Sequence, residues 1–179
     1  MQDKIILGML SLQPMSVYEL KKNMEKSTAM FYNTSIGSIH PACQKLLKKG
    51  FATCHKESEG KREKKIFSIT EQGEEEYLAW LTSPLSIGKI KDELLARLFF
   101  FADSDEQWRT VLDGYLQEIS QMRQVLSQQR DDTDISTIPP DFQKEAYFQL
   151  STLELGHDYF SFMENWLENF IAKKAPWEK

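Results

Sequence analysis

The apolar pattern changes period at residue 51, and few folds accommodate that change where it falls. In the stretch "SIGSIHPACQKLLKKG" (35–50), Ile36, Ile39, Cys43, Leu46 and Leu47 recur at the spacing of one helical face. Ser38, Pro41, Lys45 and Lys48 lie on the other face, and Gly50 is a good C-terminal stop. Residues 51–56 and 65–70 are instead short runs containing Phe, Ile and Thr, separated by a polar, charged turn with a glycine. That pattern reads as a β-hairpin. Two helices precede the switch. Asp3 is placed to cap the first, which runs through Leu12 with Ile6, Met9, Leu10 and Leu12 available for a core, and Pro14 ends it. Ser16 and Glu19 form a capping box that opens the second, from Val17 to about Thr28. After the hairpin, Thr70 caps a fourth helix carrying Tyr77, Leu78, Trp80 and Leu81.

Helix, helix, helix, hairpin is the order of a winged helix-turn-helix. Residues 82–91 contain Pro, Gly and two Ser and read as a linker. Everything after it reads as helix. Leu94, Leu95, Leu98, Phe99 and Ala102 form one stripe. Ser104 and Gln107 suggest a second capping box, opening a helix of about 25 residues in which Tyr115, Ile119, Met122 and Leu126 step by 4, 3 and 4. A polar loop separates it from a last helix at about 142–172, which has two apolar stripes. One is Ala146, Leu150, Leu153, His157, Phe160 and Leu167; the other is Phe148, Leu155, Tyr159, Phe162, Trp166 and Phe170. A helix apolar on two faces must be covered on both. Either it is fully internal in a compact bundle, or a second copy of the chain covers it, and a symmetric dimer is the expected solution. The expected interface comprises Leu150, Leu153, His157, Phe160, Leu167, Tyr159, Phe162 and Trp166, with His157 as a satisfied interface histidine. The expected fold class is therefore mainly α: a winged helix-turn-helix over residues 1–84 and an all-α dimerisation domain over 91–173.

Charge divides along the same line. Residues 1–82 hold 12 Lys+Arg against 10 Asp+Glu, a balance of +2, and residues 83–179 hold 10 against 17, a balance of −7. Within 19–65 the count is 11 against 5, or +6. A basic module joined to an acidic one points to a local nucleic-acid surface, with a merely solvated patch as the rival. The apolar runs are too short to span a bilayer, the start shows no signal peptide, and two cysteines make no disulfide framework. No membrane partner and a cytoplasmic location are the expectations. His40, Cys43, Cys54 and His55 do not have zinc-site spacing, and Cys43 lies on the apolar face, so no metal or other cofactor is expected. No phosphate loop, nucleophile elbow or HExxH motif is present, which argues against an enzyme.

Several spaced motifs in fixed order carry a family resemblance: "ILGMLSLQPMSVYELKKNME", "SIGSIHPACQKLLKKGFAT", a charged hairpin, and "KIFSITEQGEEEYLAWL". Over roughly residues 4–82 they closely resemble the PadR family of bacterial transcriptional regulators. The family pattern has a "GYEL"-like start to helix two, a "GSIYPAL" recognition helix and a wing closing on "Y-S-IT-GR". Val17 stands where the family has Gly, and His40 and Cys43 where it has Tyr and Leu. The resemblance implies a dimeric DNA-binding regulator, usually a repressor, whose C-terminal helices embrace those of a partner. Founding members respond to phenolic acids and others to bulky hydrophobic drugs. A small aromatic, phenolic or hydrophobic effector is thus a candidate partner here, alongside double-stranded operator DNA. Trp80, Phe99, Phe100, Trp108, Tyr115, Phe148, Tyr159 and Trp166 are candidates to line its cavity, although aromatic stripes more often build core.

DNA binding needs cations against phosphates and polar groups at base edges. In helix-turn-helix proteins the start of the recognition helix, here about 36–49, approaches the bases. Ser35, Ser38 and His40 are the expected contacts there, with Gly37 allowing close approach and Lys45 and Lys48 on flanking phosphates. Lys61, Arg62, Lys64 and Lys65 make a basic wing at about 57–65, with Arg62 suited to a minor groove. Tyr18, matching the family tyrosine, and Lys21 extend the set from helix two. The rival for Tyr18 is packing against helix one. Pro41 is harmless if Ser38 caps the helix; if the helix begins at Ile36, the Gly37 carbonyl loses its bond. Two rival functions remain: a protein-interaction module of this fold without DNA binding, and a ligand-independent activator.

Overall fold

The first helix, α1 (Gln2–Leu12), starts two residues earlier than its sequence suggests: Met1 sits at the N-cap and Asp3 in the first turn. Asp3 is therefore no cap; its carboxylate meets Lys45 instead, at 2.6 Å. This computed structural model describes residues 1–59, 62–86, 92–104, 106–174 and 176, with the side chains of Ser58, Glu59 and Arg62 outside the description. They fall into two units, Met1–Gly88 and Lys89–Lys179.

In the first unit α1 is followed by α2 (Val17–Ser27), α3 (Ile36–Lys48), the antiparallel strands β1 (Ala52–Glu59) and β2 (Arg62–Ile69), and α4 (Glu71–Leu81). The capping box of α2 forms as read. Both strands are longer than expected, eight residues each, because pairing runs through the charged residues to Glu59 and Arg62. Met15 adds an isolated bridge to Phe67, with backbone bonds of 2.9 and 3.0 Å. One core gathers Ile6, Leu7 and Leu10 of α1, Leu20 and Met24 of α2, Ile39, Cys43 and Leu46 of α3, and Phe67. Burying each of the larger side chains stabilises by about 1.5–3 kcal/mol. Leu12 and Ile36, expected in this core, are exposed, since each lies at the end of its helix beyond the packed turn. Burial pushes the Cys43 thiol up to about 12, so it acts as a small apolar group.

The chain passes close to itself where α4 begins. Thr70 caps α4 by accepting from the Gly73 N–H at 3.1 Å, and its hydroxyl donates to the Gly50 carbonyl at 2.7 Å. A Cβ on Gly73 would stand 2.0 Å from the Phe51 carbonyl oxygen. Gly50 has φ +74°, the left-handed conformation that glycine adopts without penalty.

The second unit consists of α5 (Glu93–Phe100), α6 (Gln107–Asp131) and α7 (Pro140–Ala172), with a 3₁₀ turn at Phe101–Ser104 and another at Ile135–Thr137. Asp92 caps α5 through the Leu95 N–H at 2.9 Å. The capping box expected at Ser104 does not form: the hydroxyl donates to the Phe101 carbonyl within the 3₁₀ turn, and α6 starts after Glu106. Pro140 opens α7 at its first helical position, where a missing N–H costs nothing. Arg109 donates to the Ile171 carbonyl at 2.8 Å, and Ser120 and Arg123 both donate to Glu164, so α6 and α7 run antiparallel. The Ser120 hydroxyl, then the Arg123 guanidinium, hold the Glu164 carboxyl below its ordinary range. The start of α7 meets the 3₁₀ turn at Ile135–Thr137, with Phe142, Tyr147 and Phe148 exposed.

The two stripes of α7 separate cleanly. Leu167 is 0% exposed and joins Trp108, Leu112 and Ile119, with Phe160 packed against them. On the other face Leu155 is 72% exposed and Phe162 64%, with Phe148, Tyr159, Trp166 and Phe170 exposed beside them. Leu167, expected at an interface between chains, therefore has no surface to give; α6 of its own chain covers it.

Candidate nucleic-acid interface

Helix α3 begins at Ile36 with Ser35 as its N-cap, so Pro41 lies inside the helix and the Gly37 carbonyl has no i+4 N–H to accept from. The first turn is held by polar side chains. The Ser35 N–H donates to Ser38 Oγ at 3.4 Å, and Ser38 Oγ donates to the Ser35 carbonyl at 2.9 Å. Gln2 Nε2 donates to Ser38 Oγ at 3.0 Å and to Thr34 Oγ1 at 2.9 Å. Thus Ser38 is half-buried and engaged within the chain, whereas Ser35, Gly37 and His40 are exposed. Gly37 has only the Ser35 hydroxyl near the place of a Cβ, at 3.7 Å, which leaves its outer side open.

Tyr18 is 67% exposed, which rules out its packing against α1. It lies on the capped first turn of α2, and α2 packs on both α3 and β2. Lys48 and Lys65 are exposed. Three other expected phosphate contacts already have acid partners: Lys21 with Glu25 at 2.6 Å, Lys45 with Asp3 at 2.6 Å, and Lys64 with Glu19 at 2.7 Å. Glu19 was read only as a cap; its bridge to the wing has no signature in local spacing. The bond from Lys64 first, and those from the Ser16 N–H and hydroxyl next, hold the Glu19 carboxyl at about 2. Lys61 and the side chain of Arg62 lie outside the described residues.

Of the aromatic residues expected around an effector, Phe99 and Trp108 line one cavity of about 860 Å³ in the second unit, together with Leu98 and Phe170. Phe100, Tyr115, Phe148, Tyr159 and Trp166 do not line it, and Trp80 belongs to the other unit. Among the described residues no group of three or more His, Cys, Asp or Glu side chains is placed to hold a metal ion, and no helix is long and apolar enough to cross a membrane.

Residues 6–79 match the "Transcriptional regulator PadR-like family". The negative transcriptional regulator PadR of Bacillus subtilis (strain 168) is 29% identical over 99 residues, a match spanning 54% of each chain, so the chain aligns with about half the length of this relative. Among solved structures, Bacillus subtilis PadR in complex with operator DNA superposes with a TM-score of 0.80 at 24% identity, covering 95% of each chain. The same protein in complex with p-coumaric acid gives 0.73 at 24% identity, over 95% of this chain and 96% of that one. The Vibrio cholerae virulence activator AphA gives 0.78 at 19% identity, over 96% of each. At these identities the superpositions establish a shared fold, mostly helical with a two-stranded antiparallel sheet. Residues 6–79 therefore carry a PadR-like domain at the N-terminus of the chain.

Proposed function

We propose that the chain is a homodimeric transcriptional repressor that binds a palindromic operator. The winged helix-turn-helix (1–84) reads the DNA, and the helical domain (91–173) joins the two copies. The observation that carries this reading is the exposed start of α3, packed on α2 beside a basic wing, in a domain whose relative is solved on operator DNA. Ser35 and His40 face the bases, while Ser38 orders the turn that presents them. Tyr18, Lys21, Lys45, Lys48, Lys61, Arg62 and Lys65 meet phosphates or a minor groove. Tyr159, Phe162 and Trp166, with Leu155 and Phe148, form the centre of the dimer contact; Leu150, Leu153, His157 and Phe160 flank it from the half-buried side. A small phenolic or hydrophobic effector releases the operator by binding one state of the dimer better than the other; the p-coumaric acid complex of the relative supports that class.

Fluorescence anisotropy on the DNA upstream of the chain's own gene tests the reading. Binding that resists competitor DNA, falls steeply with salt and is lost on Lys61→Ala with Arg62→Ala is expected. Absence of such binding favours a protein-interaction module, for which the −7 balance of residues 83–179 is the relevant surface. Activation by the same fold is the second reading, favoured by the likeness to a virulence activator. A reporter carrying the bound sequence at its natural promoter decides between the two.

A further inference from the structure

Glu19 makes two connections at once. Its Oε2 accepts from the Ser16 N–H at 2.8 Å and the Ser16 hydroxyl at 2.7 Å, closing the cap of α2. Its Oε1 accepts from Lys64 Nζ on β2 at 2.7 Å. Four residues before Glu19, Met15 exchanges both backbone bonds with Phe67, whose ring is fully buried. The wing strand is thus fastened to the entrance of α2 at two points, Phe67 near its root and Lys64 further out. Beyond Lys64 the ties run within the ribbon: Glu63 and Arg62 pair with Ser58 and Glu59 of β1, and the Glu63 carboxylate meets Lys56 at 2.7 Å. A two-stranded ribbon is marginal by itself and variable in twist, so its ties to α2 set its angle.

We propose that Glu19 is a positioning residue for operator binding: through Lys64 it fixes the angle of the β1–β2 wing against α2, so that the basic tip and the start of α3 meet DNA together. The proposal rests on the DNA-binding reading and changes one assignment made from the sequence. Lys64, half-buried and held by a carboxylate, serves the wing and is not one of the phosphate contacts.

The test measures affinity and its salt dependence for the full-length parent, Glu19→Gln, Lys64→Gln, the double variant and Lys64→Arg, on the DNA upstream of the chain's own gene. Glutamine keeps an acceptor for the Ser16 cap and removes the charge. Lys64→Gln lies outside the cap and so separates the wing from the folding of α2. Each single variant is expected to weaken binding about two- to fivefold, the range for a half-exposed pair. The double variant is expected to bind no worse than either single one. The salt slope stays at the parent's value, and Lys64→Arg restores affinity. If Lys64→Gln flattens the slope by about 0.9, the loss of one phosphate contact, while Glu19→Gln binds as well as the parent or better, the proposal is overturned. Parent-like binding by both single variants overturns it too. A parent that fails to bind removes the regulator reading itself, which separates the two failures.

Discussion

The two units use similar amounts of apolar side chain to different ends. In the first, α1, α2, α3 and β2 close around Phe67, Ile6, Leu20 and Leu46, and exposed apolar side chains remain mainly at helix ends and on α4, at Leu78, Trp80 and Leu81. In the second, α6 covers one stripe of α7 and leaves the other open, with Leu95, Phe99 and Phe100 of α5 exposed as well. Monomeric proteins rarely expose a patch of that extent. The contrast teaches that the first unit closes a core from four elements of one chain, whereas the second leaves a whole apolar helix face exposed, the face the proposed dimer would cover.

The closed unit should break most sharply at Gly73. A Cβ there meets the backbone carbonyl of Phe51, which cannot move without opening the junction of α3, β1 and α4. Gly73→Ala should cost about 4 kcal/mol, read by chemical denaturation as loss of the first unit's transition. In the open unit, two faces of one helix give opposite readouts. Leu167→Ala should destabilise by about 3 kcal/mol through a cavity against Trp108 and Leu112. Phe162→Asp should leave the monomer within about 0.5 kcal/mol yet shift the assembly toward single chains in analytical ultracentrifugation. A fall in monomer stability as large as that of Leu167→Ala would mean that the outer stripe is internal after all. A smaller effect belongs to Gly50→Ala, about 1 kcal/mol for a left-handed φ.

The smallest effect is electrostatic. The Glu19 carboxyl titrates at about 2 in the folded chain against an ordinary 4.5. A depressed carboxylate stabilises the fold fully above pH 4.5, and that contribution is lost as pH falls through about 2. Thermal melts from pH 5 to 2 should therefore show a steeper fall for the parent than for Glu19→Gln.

What was legible in the sequence was local. The α2 cap, the stop at Gly50, the hairpin and the Thr70 cap all depend on neighbours within a few residues, and spacing reveals them. Ser104 failed by the same logic, because a 3₁₀ turn three residues before it offered its hydroxyl a closer acceptor. Periodicity found both stripes of α7 but not which one is inside; that depends on where α6 lies. The ties that shape the candidate interface were not legible either. Lys64 and Glu19 are 45 residues apart, and Gln2 and Ser38 are 36 apart. Charges meant for phosphate and charges meant for each other look alike in a sequence.

The exposed start of α7 has a consequence for exchange with solvent. Phe142, Tyr147 and Phe148 are exposed there, so little apolar burial holds these turns in the single chain. The amides of residues 142–149 should therefore exchange deuterium quickly when the chain is alone and slowly when that segment is covered. Their protection would report the assembled state amide by amide.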